Sequence, residues 1–377
     1  MTRDNDIESP RTLHTFANPT SQPSNQNLQK SAILADPQPE TCQRLVRYQP
    51  YRIDIVLDND CNLDCTDCIR IKISEEKDID HSRLIHRIIQ NASCEKYQIH
   101  FTGGEPFLKW NSLTKIIKQT QNATNKEIDY SIYSNLILLN SEIIEFIKSN
   151  KVQVHTSLDG LKDENDKVRG DGSYDEIFSS IERLNKNDIL LNSLTTTLKN
   201  ENIQKISSDF IMTLEQLKIK TWRLNIDYYG INLKPESVID KVFNLYVFAN
   251  ERGLSVEGTW LYPFLNLISD NRNGFCPATK GETIAILPDG KISMCPYSNS
   301  SLGTFHDNWN LISEQFNSRK QNLADSQRCN ECIIKDYCQT QCLITTEENN
   351  PNLLDWYCEI YKGLTIKLLN YHIDNGI

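Results

Sequence analysis

From Tyr51 onward the chain alternates short runs rich in β-branched and aromatic residues with longer stretches of helical spacing, an alternation that leaves few folds open. The strand candidates are residues 51–57, 97–102, 128–134, 152–158, 189–197 and 221–227. Helical spacing falls near 79–91, 110–121, 140–149, 173–185, 202–217 and 235–252. Six β–α units in series predict a parallel sheet, because parallel neighbours need a crossover helix. If that sheet is closed or partly closed, chemistry belongs at the C-terminal ends of its strands. The pattern itself does not separate a six-unit partial barrel from a doubly wound sheet.

Either side of this region the character changes. Residues 1–48 are rich in Asn, Gln, Ser, Thr and Pro without apolar periodicity, the composition of a mostly disordered tail. After about residue 270 the βα rhythm stops, and Asp289-Gly290 marks a hairpin turn between two short strands. The expected organisation is therefore a tail over 1–48, a barrel over 49–270 and a cysteine-rich domain over 271–377. No apolar run approaches the ~18 residues of a membrane span, and the first residues lack the apolar core of a secretory signal. A net charge of −10 argues against nucleic acid as a partner. The expected location is cytoplasmic, where the twelve cysteines of the 377-residue chain point to metal or redox chemistry rather than disulfides.

Three of those cysteines follow the first strand directly. Cys61, Cys65 and Cys68 have C-x3-C-x2-C spacing, enough thiolates for three irons of a cubane cluster, with the fourth iron open to a ligand. The alternative is a structural zinc loop, which wants a fourth ligand that no neighbouring His or Cys offers.

In this spacing and position the segment resembles the radical S-adenosylmethionine (radical SAM) superfamily. The second strand candidate ends in Thr-Gly-Gly-Glu-Pro, similar to the family's GGEP element. The likeness assigns Gly103, Gly104 and Glu105 to the methionyl amino group of S-adenosylmethionine. Ser134 and Asn135 stand where the family has a Thr-Asn-Gly element, with Leu136 in place of the glycine. Ser157 and Arg169 resemble the family's contacts to the ribose and the carboxylate region, whereas Asp67 replaces a usual aromatic residue. The resemblance covers about residues 50–260 and implies an α/β fold, a partial (β/α)6 TIM-like barrel.

The C-terminal cysteines Cys276, Cys295, Cys329, Cys332, Cys338, Cys342 and Cys358 resemble, in order and spacing, the SPASM domain with its two auxiliary 4Fe–4S clusters. By that likeness Cys276, Cys295 and Cys342 hold the inner cluster, and Cys329, Cys332, Cys338 and Cys358 the outer one. Seven cysteines leave one of eight ligand positions open, expected on the inner cluster. A pair of zinc-ribbon-like sites is the alternative, since C-x2-C is also a zinc spacing. Cys94 reads as a packed small hydrophobe, Cys42 has no assigned role, and His100 and His155 read as structural histidines inside strands.

Together these resemblances imply S-adenosylmethionine, three 4Fe–4S clusters and an oxidoreductase that generates a 5′-deoxyadenosyl radical. The leading substrate is a ribosomally synthesised precursor peptide, oxidised and crosslinked. A flavodoxin or ferredoxin is the expected electron donor, and leader recognition, if any, would use a separate protein or another surface. Sulfatase-type maturation is an alternative; relatives with that activity carry an aspartate base directly after the cysteine matching Cys295, where this chain has Pro296. A small-molecule dehydrogenase is a further enzymatic alternative. A non-catalytic iron–sulfur sensor would explain the cysteines but not GGEP, Ser157 and Arg169 together. The general base has no candidate in the sequence.

Overall fold

The computed structural model describes residues 48–66, 68–69, 79–298, 300–324, 329–339, 341–347 and 350–376. The tail proposed over 1–48, Cys42 and Asp67 thus lie almost wholly outside the described residues. Seven strands pair in parallel and in chain order: β1 (Arg52–Val56), β2 (Lys96–Thr102), β3 (Glu127–Tyr133), β4 (Gln153–Ser157), β5 (Ser193–Leu198), β6 (Thr221–Ile226) and β7 (Ser255–Glu257).

The crossovers carry helices α1 (His81–Asn91), α2 (Trp110–Ala123), α3 (Ser141–Asn150), α4 (Lys162–Arg169), α5 (Ser173–Lys186), α6 (Ser208–Gln216) and α7 (Pro235–Glu251). Each has a local reason to form. In α1, Leu84, Ile85, Ile88 and Ile89 make one apolar stripe, and the Asp80 side chain caps the helix by accepting from Arg83 N at 3.0 Å. Asn140 caps α3 in the same way through Ile143 N, and Lys151 ends that helix in the left-handed region at φ 51°.

Strand alternation sorts the barrel walls. Ile53, Ile55, Ile99, Phe101, Ile132, Val154, Leu194, Trp222 and Leu224 are fully buried. Each such side chain contributes about 2–3 kcal/mol by leaving water. The intervening positions on the same strands turn to the interior and are mostly polar. The fifth strand begins four residues later than its apolar run suggested, because Asp188 sits at φ 61° and residues 189–192 complete the turn out of α5.

The cysteine-rich segment does not build a sheet of its own. Strand β8 (Thr283–Ile286) pairs in parallel with β1, and β9 (Lys291–Ser293) and β10 (Ser301–Thr304) extend the edge in antiparallel, making one ten-stranded sheet. The expected hairpin is present, with Gly290 at φ 81°. The C-terminal helix, Pro351–Asp374, packs on α7, where a Cβ at Gly363 would lie 2.5 Å from Ile239 Cδ1. Trp356 Nε1 donates to Leu233 O at 2.8 Å, and Tyr246 Oη meets His372 Nε2 at 2.8 Å. Among the described residues no helix is long and apolar enough to cross a membrane.

Candidate active site

The loop after β1 carries Cys61, Cys65 and Cys68, and it is pinned by its neighbours before any ligand is considered. Gly104 N donates to Asp58 O at 2.9 Å and Glu105 N to Asp60 O at 2.7 Å. A Cβ on Gly104 would lie 1.8 Å from Asp60 O, and one on Gly103, at φ 136°, would lie 2.5 Å from Asp58 O. The two glycines therefore admit the backbone of the cysteine loop. Farther along, Thr66 N donates to Val168 O at 2.9 Å, and Lys199 Nζ donates to Thr66 O. The buried Asp58 carboxylate takes Lys109 Nζ at 2.8 Å.

Glu105 is 1% exposed and uses both oxygens within the protein. Oε1 accepts from Phe107 N at 2.9 Å and Ser134 Oγ at 2.8 Å, and Oε2 accepts from Asn135 N at 2.8 Å. Burial pushes its carboxyl above the ordinary range, against these hydrogen bonds. Glu105 thereby ties the end of β2 to the end of β3. Asn135 Nδ2 in turn donates to Asn62 Oδ1 at 2.8 Å and sits 3.9 Å from Cys61 Sγ. Leu136 adopts φ 63° while fully buried, so a β-carbon residue occupies a left-handed position that the family fills with glycine. Arg169 Nε meets the buried Asp159 carboxylate at 2.8 Å. Its positive charge works against the burial that raises the Cys65 thiol, while the Cys68, Asp159 and Cys61 charges add to that rise.

All of this opens on one cavity of roughly 810 Å³ in the barrel interior. Cys61, Cys65, Cys68, Gly104, Glu105, Ser134, Asn135, Ser157 and Arg169 line it; Gly103 does not. Cys276, Cys295 and Cys342 line the same cavity. Burial and the neighbouring Cys276 push the Cys342 thiol up to about 12. Burial raises Cys295 too, with Cys342, Cys276 and Asp54 adding to it. Cys329, Cys332, Cys338 and Cys358 form a separate group outside the cavity. Burial raises the Cys338 thiol, with Cys358, Cys329 and Cys332 adding to the rise, and Gln341 Nε2 reaches Cys358 Sγ at 2.6 Å.

The cavity wall also carries a polar belt, of which sequence reading singled out only His100 and His155 as residues that could line the barrel. His100 Nδ1 lies 3.3 Å from Asp54 Oδ1, and Arg52 Nε lies 3.5 Å from the same oxygen. Tyr133 stacks on His155 at 4.3 Å, with His155 Nδ1 2.7 Å from Ser193 Oγ. Arg223 Nε donates to Glu257 at 2.7 Å and its Nη1 to Tyr133 Oη at 2.8 Å. Both histidines, read from sequence as structural, face the cavity. The available signal was polar residues at alternate positions of otherwise apolar strands: Arg52/Asp54, His100/Thr102, Thr195/Thr197 and Arg223/Asn225. Cys94 also departs from expectation. It is fully buried as expected, but as half of a disulfide rather than as a free thiol.

Residues 55–210 match the family model described as the Radical SAM superfamily. This stretch is a radical SAM domain.

Its curated relatives include the radical SAM cyclopropyl synthase TigE of Paramaledivibacter caminithermalis, 26% identical over 84% of this chain and 73% of that one. The cysteine-type anaerobic sulfatase-maturating enzyme of Clostridium novyi is 28% identical over 81% of this chain and 91% of its own. Two solved structures share the fold. The anSMEcpe complex with AdoMet and the Cp18Cys peptide superposes with a TM-score of 0.70 at 18% identity, covering 86% of this chain and 98% of that one. SuiB of Streptococcus suis bound to its precursor peptide SuiA superposes at 0.61 and 16% identity, over 91% and 81%.

The radical SAM domain over residues 55–210 marks the chain as an enzyme and implies S-adenosylmethionine and a 4Fe–4S cluster as its cofactors. The cavity fits both. Three thiols from one pinned loop line it beside the partly buried Arg169, and the rest of the wall is rich in hydrogen-bonding groups. Among the described residues no three Cys, His, Asp or Glu side chains converge as ligands of a single metal ion. Cubane ligands need not converge in that way, because each thiolate takes its own iron.

Proposed function

We propose that this radical SAM enzyme is a peptide maturase that removes two hydrogens from a ribosomally made substrate. The observation that carries the reading is one cavity lined both by Cys61, Cys65 and Cys68 and by Cys276, Cys295 and Cys342. A substrate side chain held between them lies within reach of a radical source and of an electron acceptor at once. When bound at the first cysteine group, the cluster and S-adenosylmethionine supply a 5′-deoxyadenosyl radical that takes a hydrogen atom from carbon.

The protein's part is binding and positioning. Cys61, Cys65 and Cys68 hold the first cluster. Gly104, Glu105, Ser134 and Asn135 keep their loop in place, and Ser157 and Arg169 face the nucleoside and carboxylate of S-adenosylmethionine. Cys276, Cys295 and Cys342 hold an inner auxiliary cluster with one iron lacking a cysteine, and Cys329, Cys332, Cys338 and Cys358 hold an outer one. The peptide-bound states of anSMEcpe and SuiB support a peptide substrate. The Clostridium novyi relative favours a second reading, oxidation of a cysteine in a sulfatase, against which Pro296 stands.

Co-expression with the short peptide encoded nearest to the gene tests the proposal, beside a Cys65→Ala control. Loss of two hydrogens only with the intact chain supports it. An unchanged peptide, in cells where the iron is shown to be incorporated, refutes it and moves the substrate to a protein or a small molecule.

A further inference from the structure

Oxidation by two hydrogens needs somewhere for the second proton to go, and Pro296 supplies no base beside Cys295. The barrel interior offers a replacement on a different element. Asp54 in β1 is 4% exposed, its Oδ1 faces His100 Nδ1 at 3.3 Å, and its Oδ2 has no hydrogen-bond partner among the described residues. Both side chains line the cavity that Cys65 and Cys295 also line. Burial alone would raise the Asp54 carboxyl, but Arg52, His100 and Arg223 overcome it and hold it below the ordinary range, so it is an anion at neutral pH. A carboxylate only accepts hydrogen bonds, so the neutral tautomer of His100 that fits this contact carries its proton on Nδ1 and offers Nε2 as the acceptor.

The other cavity histidine lacks this arrangement. Burial and then the Arg223 charge hold His155 well below its ordinary value, so it resists a proton. Glu257 is committed to Arg223.

We propose that His100 is the proton acceptor of the oxidation and that Asp54 is the residue positioning it. The inference rests on the maturase reading above. The first hydrogen leaves the substrate carbon as an atom and forms a C–H bond of 5′-deoxyadenosine. The second leaves a neighbouring X–H bond as a proton, taken by His100 Nε2. Of the three electrons held by the carbon radical and the X–H bond, two make the new carbon–X bond. The third needs a one-electron acceptor, which an oxidised iron–sulfur cluster held by Cys276, Cys295 and Cys342 would supply. The imidazolium is stabilised by the adjacent Asp54 carboxylate until it returns the proton to water.

The test uses the fully loaded enzyme and its peptide, with His100→Ala compared to wild type. Removing a positioned base should lower kcat by about 100-fold or more, with KM within about threefold, and added imidazole should restore at least about tenfold. A kcat within about threefold of wild type overturns the proposal. So does a loss that imidazole leaves unchanged while iron content and peptide dissociation constant stay the same. If His100→Ala loses iron, Asp54→Asn decides. It keeps the ring but reverses its hydrogen bond, and kcat should fall about tenfold or more, with peptide affinity of the unreduced enzyme unchanged. An unaltered kcat in that variant also overturns the pair. Failure of the wild-type enzyme to remove two hydrogens refutes the maturase reading itself. Equal hydrogen loss in wild type and both variants refutes only the acceptor.

Discussion

Replacing Gly104 by alanine tests the idea that the glycine pair exists to seat the cysteine loop. The added Cβ would lie 1.8 Å from Asp60 O, 2.4 Å from Asp60 C and 2.8 Å from Asn59 C, against ordinary contact beginning at 3.4 Å. All three neighbours are backbone, so no rotamer change relieves the overlap, and the loop must retreat by about 1.5 Å. That motion breaks the 2.9 Å and 2.7 Å bonds from Gly104 N and Glu105 N. The cost is about 1–3 kcal/mol for the overpacking, and about 1 kcal/mol for each lost hydrogen bond. A displacement of about 1 Å near reacting groups is enough to cost about 100-fold in rate. The expected result is a folded chain with reduced iron at Cys61, Cys65 and Cys68 and at least about 100-fold slower S-adenosylmethionine cleavage. Iron and acid-labile sulfide per chain, with 5′-deoxyadenosine formation under dithionite, measure both quantities. Wild-type iron and a wild-type rate in Gly104→Ala would refute the argument, because the loop would then have yielded without consequence.

Three further outcomes follow from the same geometry. Arg169→Met leaves Asp159, 1% exposed, without its 2.8 Å partner, and should cost about 3 kcal/mol in urea unfolding; a change below about 1 kcal/mol would show that Thr197 N suffices for Asp159. His155 resists protonation in the fold, through burial first and Arg223 second, while the unfolded ring takes a proton near its model value of 6.5. Unfolding is therefore favoured as pH falls below about 6.5, by up to about 1.4 kcal/mol per pH unit, and His155→Gln should flatten that part of the profile; parallel profiles for the two proteins would exclude His155 as the cause. If three cubanes are bound, wild type holds about twelve irons per chain and a Cys61/Cys65/Cys68 triple-alanine variant about eight; loss of nearly all iron in the triple variant would contradict separate sites.

The parts of this molecule that were legible in sequence are those written in local chemistry. Helix boundaries followed apolar stripes and caps, as at Asp80 and Asn140, and the hairpin followed Asp289-Gly290. The cysteine loop and the GGEP segment could be placed on one face because both end parallel strands. What could not be read was anything set by register between distant strands. Asp54 meets His100 only because those residues are aligned across β1 and β2, and Arg223 meets Glu257 by the same alignment across β6 and β7. Nor could sequence show that backbone from residues 58–60 lies where a Cβ on Gly103 or Gly104 would stand. The attachment of β8 to β1 was equally invisible, since a strand four residues long gives no hint of its partner.

That attachment has a consequence for how the chain is made. Tyr48 Oη, just before β1, donates to Thr283 O across 235 residues of sequence, and the flank of β1 has no other strand to pair with until β8 exists. At about 5–20 residues per second, a ribosome needs roughly ten to fifty seconds to deliver that partner. Through that interval the strand carrying Asp54, and leading into the cysteine loop, presents an open backbone edge to every other nascent chain nearby. The strand that leads into the cysteine loop is thus made long before the edge beside it is sealed.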